Sequence, residues 1–320
     1  MKKTAKIWLI TASFLVVIGS ILFVYIMSAL KWDFTKLSTA KYESTHHEIS
    51  DTFKNISVSV DTADIVLVPS ENSVTKVSCY EEKNATHSVT VKDGTLLIEV
   101  SNNKKWYESI GINFASPKIT IYLPENEYGT LSVKSHTGDV KIPKDFKFES
   151  IEISENTGDV TSFADTLKGI KINTDTGNIR LEKVSAESLS LSVSTGDITV
   201  SDVLTEGDIK TYVSTGKTNI KNTKCKSLIS NGSTGDIVLN NVVANEKFTI
   251  KRSTGDVRFN SSDAKEIFIK TDTGDVTGRL LSEKVFITST DTGDVTVPHS
   301  ITGGRCEITT DTGDIKIEIE

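Results

Sequence analysis

The sequence predicts an all-β protein, a parallel β-solenoid (β-helix) of about ten 19–20-residue coils preceded by one N-terminal transmembrane helix. Three features carry that prediction. Ten Thr-Gly pairs recur at intervals of 19 or 20 residues, with Gly138, Gly158, Gly177, Gly196, Gly216, Gly235, Gly255, Gly274, Gly293 and Gly313 as their second members. Apolar and polar residues alternate on both sides of each pair, and the alternation changes parity across it. Near the N-terminus, Ile7 to Leu30 run for 24 residues without a charge.

The uncharged run comes first in the chain. At about 1.5 Å per residue it is long enough to cross a hydrocarbon core of roughly 30 Å. A cleaved signal peptide is the competing reading, but the run is long for one and Met27-Ser28-Ala29 is a poor cleavage site. A buried core helix is the third. Trp8 and Trp32 bracket the run as interfacial residues do. Lys2, Lys3 and Lys6 fill a short tail, residues 1–6, and favour a cytoplasmic N-terminus with the rest of the chain outside the cell membrane. A linker is expected over residues 31–44.

Residues 45–130 are strand-rich but irregular, and are expected to cap the solenoid. Thr62-Ala63-Asp64 reads as a degenerate corner, with Val58 before it and Ile65 and Leu67 after it. Asp93-Gly94 between alternating runs signals a hairpin. The stretch "ITIYLP" reads as a strand ended by Pro124. Trp106, Tyr107 and Phe114 fall in a presumed loop, either an aromatic partner surface or a lid over the open end of the core.

The regular array occupies residues 131–320. Seven residues before each Gly, all ten positions are apolar; two after it, nine are, Thr218 being the exception. Inward positions are odd before the Gly and even after it, which a straight strand cannot accommodate, so the chain bends there. Gly tolerates positive φ, and Thr and Asp bond locally to backbone at turns. One coil buries about four apolar side chains worth roughly 1.5–3 kcal/mol each, too little against an ordering cost of about 1–2 kcal/mol per residue. Coils must therefore stack, and ten of them at about 4.8 Å make a rod of about 48 Å. A five-bladed propeller is the rival; it needs antiparallel neighbours and alternating repeats, whereas all ten corners look alike. The chain ends on the strand "DIKIEIE", which predicts an open edge at the last coil, with Lys316, Glu318 and Glu320 facing out.

Composition excludes several functions. The total charge is −7, and residues 1–36 contribute five lysines and one aspartate, leaving −11 on the remainder. That sign opposes nucleic-acid binding. The five histidines show no metal-ligand spacing, and Cys79, Cys225 and Cys306 form neither a CxxC motif nor an even set, so they read as buried apolar residues and no cofactor is expected. An Asp follows the corner Gly in eight coils, and Asp272, Asp291 and Asp311 add a second carboxylate two before it in the last three. Stacked about 5 Å apart these charges repel by about 0.9 kcal/mol per pair even in water. Calcium bound among Asp272, Asp275, Asp291, Asp294, Asp311 and Asp314 would offset the repulsion; so would hydrogen bonds from turn N–H groups. No local acid–base cluster interrupts the repeat, so no catalytic residue is assigned and a glycan-active β-helix enzyme is disfavoured. Thr211, Tyr212, Lys217 and Thr218 mark the least regular coil, expected to be a weak, hydrated layer.

The anchor, the "DTADIVLVP" coil, the "DGTLLIEV" hairpin, the "ITIYLP" strand and the serial "TGDV" and "TGDI" corners together resemble the bacterial putative-adhesin family, a β-helical domain of unknown function, over about residues 45–320. The resemblance implies a non-enzymatic cell-envelope protein. On it rests the expectation of an adhesin or envelope interaction module, attached to the membrane through residues 7–30 and binding an envelope protein or glycan. An accessory or sensory membrane protein of an envelope-stress system is the alternative it leaves.

Overall fold

A computed structural model describes residues 3–33, 41–102 and 116–320. The helix Lys3–Ala29 opens the chain. Its segment Ala5–Ala29 has a mean hydropathy of 2.5, is not buried by the rest of the chain, and is long and apolar enough to cross a membrane. The described residues after it are mostly β-structure, strand making up about 66% of the chain, wound into a parallel solenoid of about ten turns.

Each rung, named here by its corner residue, stacks on the next in parallel register. Ile151 pairs with Leu131 on one side and with Ile170 on the other, and the pattern continues through Leu189, Ile209, Leu228, Phe248 and Ile267. These residues form an inward column in which none exceeds 1% exposure. The parallel ladder excludes the propeller.

The Thr-Gly corner is a point of backbone-on-backbone contact. At Gly196 φ is +140°, and a Cβ would lie 2.0 Å from the Gly177 carbonyl oxygen. No side chain fits there, which explains the strict glycine. A second corner follows six residues later, where Lys183, Asp202, Asn222, Asn241 and Ser261 all adopt positive φ between 46° and 55°. Asn and Asp visit this left-handed region more readily than other non-glycine residues. Asn222 Nδ2 donates to Asp202 Oδ1, and Asn241 Nδ2 to Asn222 Oδ1.

Rung order departs from chain order at both ends. Asn55–Thr62 with Asp64–Pro69 makes the Ala63 rung, which pairs in parallel with Glu127–Thr137 and Val140–Ile142 on one side. On its other side it pairs in parallel with Thr95–Asn102 and Lys118–Leu123, two strands that come later in the chain. Antiparallel strands finish this end: Tyr42–Ile49 on Thr75–Glu82, Thr75–Glu82 on Lys118–Leu123, and Ala85–Lys92 on Thr95–Asn102. The hairpin turn is Asp93-Gly94, both with positive φ as the sequence implies.

At the opposite end the final rung is not terminal. Gly304–Thr312 lies between Asp263–Thr273 and Lys284–Thr292, pairing Cys306 with both Ile267 and Phe286. The open edge expected at the last strand belongs instead to the preceding rung. Side-chain pattern accounts for the exchange: the Gly313 rung buries Cys306, Ile308, Ile315 and Ile317 at 2% exposure or less. The Gly293 rung has Thr288 at an inward position and turns Val285 and Ile287 outward, 37% and 49% exposed. The better apolar rung takes the interior place. Gly303 and Gly304 admit the returning chain, since a Cβ on them would lie 1.9 Å from the Glu283 oxygen and 1.8 Å from the Lys265 oxygen.

Candidate functional site

The carboxylates after the corner glycines form a ladder. The Asp139 N–H donates to Asp64 Oδ1, Asp159 N–H to Asp139 Oδ1, and Asn178 N–H to Asp159 Oδ1, at 2.7–3.0 Å. Asp197 and Lys217 continue it upward, Asp256 and Asp275 resume it from Asp236, and it ends in the order Asp275, Asp314, Asp294. Lys217 has no side-chain acceptor and breaks the series. Every ladder carboxylate except the terminal Asp294 thus accepts from the turn N–H of the neighbouring rung, a charge-assisted bond that offsets the repulsion. Arg258 adds cationic contacts to Asp236 and Asp256 at 3.4 and 2.5 Å.

The six calcium candidates do not converge. Asp275 and Asp314 each have one oxygen committed to a backbone N–H, and Asp294 ends the ladder as a backbone donor to Asp314. Asp272, Asp291 and Asp311 are exposed beside it. Among the described residues, one group of three or more His, Cys, Asp or Glu has its ligand atoms within 4.8 Å of one another, and it lies elsewhere, at Cys79, Glu81 and His87. Trp106, Tyr107 and Phe114 lie outside the described residues.

Three buried polar features were hidden from sequence reasoning. Glu155, 3% exposed, points inward three residues before Gly158, and neither carboxyl oxygen has a hydrogen-bond partner. Burial, then the charges of Asp139, Asp159 and Asp64, push its pKa up to about 8. The irregular coil is not a hydrated weak layer: Arg252, 4% exposed, reaches back two rungs to fill it. Its guanidinium donates to Ser230 Oγ at 2.9 Å, Thr218 Oγ1 at 3.2 Å and the Lys251 carbonyl at 3.0 Å. Thr211 Oγ1 donates to Ser230 at 2.7 Å, so the polar substitutions at 211, 218 and 230 make one network. Burial lowers the Arg252 pKa to about 10. Gly232 makes the space, since a Cβ there would lie 2.7 Å from Arg252 Nη1.

The third feature closes the C-terminal end. A groove of about 540 Å³ is lined by Asp263, Leu281, Ser282, Lys284 and Gly303 among others. In it Lys284 Nζ lies 2.7 Å from Asp263 Oδ1 and 2.5 Å from Ser282 Oγ. The Ser282 hydroxyl donates to Asp263 Oδ2 at 2.6 Å. A Ser–Lys pair can generate a nucleophile only if a neutral amine accepts the hydroxyl proton. Here Lys284 is the donor and the hydroxyl is turned to the carboxylate, the geometry of an ion pair joining two rungs. The neighbouring strand Lys284–Thr292 pairs only with Gly304–Thr312 among the described residues. Its outer edge is open over nine residues, and Ile301 beside the groove is 87% exposed.

No curated protein matches the chain. A solved structure described as a putative adhesin from Parabacteroides distasonis is similar at 13% identity, covering 74% of this chain and 97% of that one with a TM-score of 0.47. A putative lipid binding protein from the same organism is similar at 15% identity, 88% and 98% coverage and a TM-score of 0.46. A putative adhesin from Bacteroides fragilis follows at 17% identity, 87% and 97% coverage and a TM-score of 0.37. The Toastrack DUF4097 pattern matches residues 53–223 and 207–320, which together span the solenoid and most of its cap. The chain belongs to the Toastrack DUF4097 family.

Proposed function

We propose that the protein is a non-enzymatic, single-pass envelope protein. Its helix holds it in the cell membrane with the N-terminus cytoplasmic, and its extracellular solenoid is an interaction module that docks an envelope protein at the Gly293 rung. One observation carries the reading. Lys284–Thr292 offers an unpaired edge nine residues long with Val285 and Ile287 exposed beside it. An open, partly apolar edge of that length is a template for strand addition and a liability if left uncovered. The adhesin description of the similar structures supports an adhesive role, and the ion-pair geometry of Lys284, Asp263 and Ser282 supports a binding rather than catalytic end.

Site-specific photo-crosslinking tests this in intact cells. A crosslinker at Ile287 is expected to capture a discrete envelope protein, and one at Ser190, exposed in mid-rod, is expected to capture none. Equal labelling from the two positions refutes docking at the terminal rung. Protease added outside intact cells is expected to remove the solenoid; full protection refutes the topology.

A further inference from the structure

We propose that the antiparallel cap carries a transition-metal site, best suited to Zn²⁺, built from Cys79, Glu81 and His87. Cys79 and Glu81 are two apart on Thr75–Glu82 and so face the same side of the sheet, inward, at 0% and 1% exposure. The chain then reverses through the Glu82–Ala85 pair and places His87, 8% exposed, over them. Sγ, a carboxylate oxygen and Nδ1 come within 4.8 Å of one another. Ligands on a tetrahedral zinc ion, with bonds of about 2.0–2.3 Å, stand about 3.3–3.8 Å apart, so only small side-chain adjustments separate the observed cluster from a ligand set.

The donor types fit the ion. Thiolate, imidazole and carboxylate are the three classes that zinc takes, whereas calcium and magnesium take oxygen alone. Supporting hydrogen bonds are also in place: Thr45 Oγ1 donates to Glu81 Oε1 at 2.5 Å, and the His87 backbone N–H donates to Oε2 at 2.6 Å. Such bonds orient a ligating carboxylate. His87 Nδ1 lies 2.7 Å from the same Oε2, so two of the ligand atoms already face each other. Zn²⁺ would take the place of the hydrogen bond between them and displace the Cys79 thiol proton to solvent.

His47 stands near the cluster without joining it. It is two residues from Thr45 on Tyr42–Ile49, and therefore on the same face. It pairs with Val77 and is diagonal to Cys79. Its Nε2 is buried with no hydrogen-bond partner. A plain Glu81–His87 ion pair does not account for the Cys79 thiol lying within 4.8 Å of both groups. A Cys-Glu-His set accounts for it and leaves the fourth tetrahedral position to water.

The test uses the untagged full-length chain in detergent, stripped with chelator and titrated with Co²⁺ as a spectroscopic stand-in for Zn²⁺. One Co²⁺ per chain is expected, with thiolate-to-metal charge-transfer absorption and tetrahedral d–d bands, both erased by added Zn²⁺. Cys79→Ser is expected to lose the charge-transfer band. His87→Gln is expected to weaken binding about 10–100-fold or more, with strand content by circular dichroism separating lost ligation from lost fold. A wild-type chain that binds less than one Co²⁺, or binds it with no thiolate band, overturns the site whatever the variants do. So does Co²⁺ affinity unchanged in folded His87→Gln.

Discussion

Replacing Glu155 with Gln isolates the most unusual charge in the core. The carboxyl group is buried at the corner of the Gly158 rung without a hydrogen-bond partner, and three ladder aspartates surround it. Its pKa rises from 4.5 to about 8, so the folded chain keeps a proton that the unfolded chain has lost. The sign follows from proton linkage: the folded state binds more protons between these values, so stability is full below pH 4.5 and falls as pH rises through 8. At about 1.4 kcal/mol per pH unit the whole loss is on the order of 5 kcal/mol, an upper figure because water reaching the ionised group would reduce it. Gln has the same shape and no charge. Denaturant unfolding of both proteins from pH 5 to 9 is expected to give similar stabilities at pH 5 and a Glu155→Gln variant more stable by several kcal/mol at pH 9. Two curves that stay parallel across the range refute the assignment of a neutral Glu155.

Two further substitutions probe the stack. Gly196→Ala forces a Cβ to within 2.0 Å of the Gly177 oxygen at a φ of +140°, and is expected to cost at least about 3 kcal/mol in unfolding free energy. Arg252→Lys keeps the charge but loses the planar fork shared by Ser230, Thr218 and the Lys251 carbonyl, and is expected to cost about 2 kcal/mol by denaturant unfolding; Lys251→Ala, an exposed side chain, stays within about 0.5 kcal/mol.

The period, the corners and the inward columns were readable because they are local: parity of alternation fixes which face is buried, and Gly marks where the face changes. The Ala63 rung and the Asp93-Gly94 turn were readable for the same reason. Rung order was not, because periodicity fixes the length of a coil and not which coil stacks on which. Ile56 pairs with Leu131, and Ile267 with Cys306, across intervals that no repeat announces. The Gly303-Gly304 pair was the available hint of the second exchange, a doubled glycine at a place where no corner falls. Asp202, Asn222 and Asn241, each six after a corner glycine, were an unused sign of the second bend. Arg252 was opaque because its side-chain partners lie on other rungs, so Thr211 and Thr218 looked like defects when Thr218 and Ser230 accept from one guanidinium and Thr211 donates to Ser230. The Cys79 cluster was opaque for a related reason: a hairpin and two sheet neighbours bring its members together, and the residues follow no metal-binding spacing.

Disulfide trapping measures the rung order on which the open docking edge depends. Lys270, Thr309 and Ser289 occupy equivalent outward positions, with Thr309 registered against both of the others. Neighbouring rungs hold such residues about 4.8 Å apart, within reach of a disulfide, and rungs two apart do not. The intercalated stack predicts bonds for the Lys270→Cys/Thr309→Cys and Ser289→Cys/Thr309→Cys pairs and none for Lys270→Cys/Ser289→Cys. A bond between positions 270 and 289 with none between 270 and 309 would put the rungs back in chain order and move the free edge to the C-terminal strand.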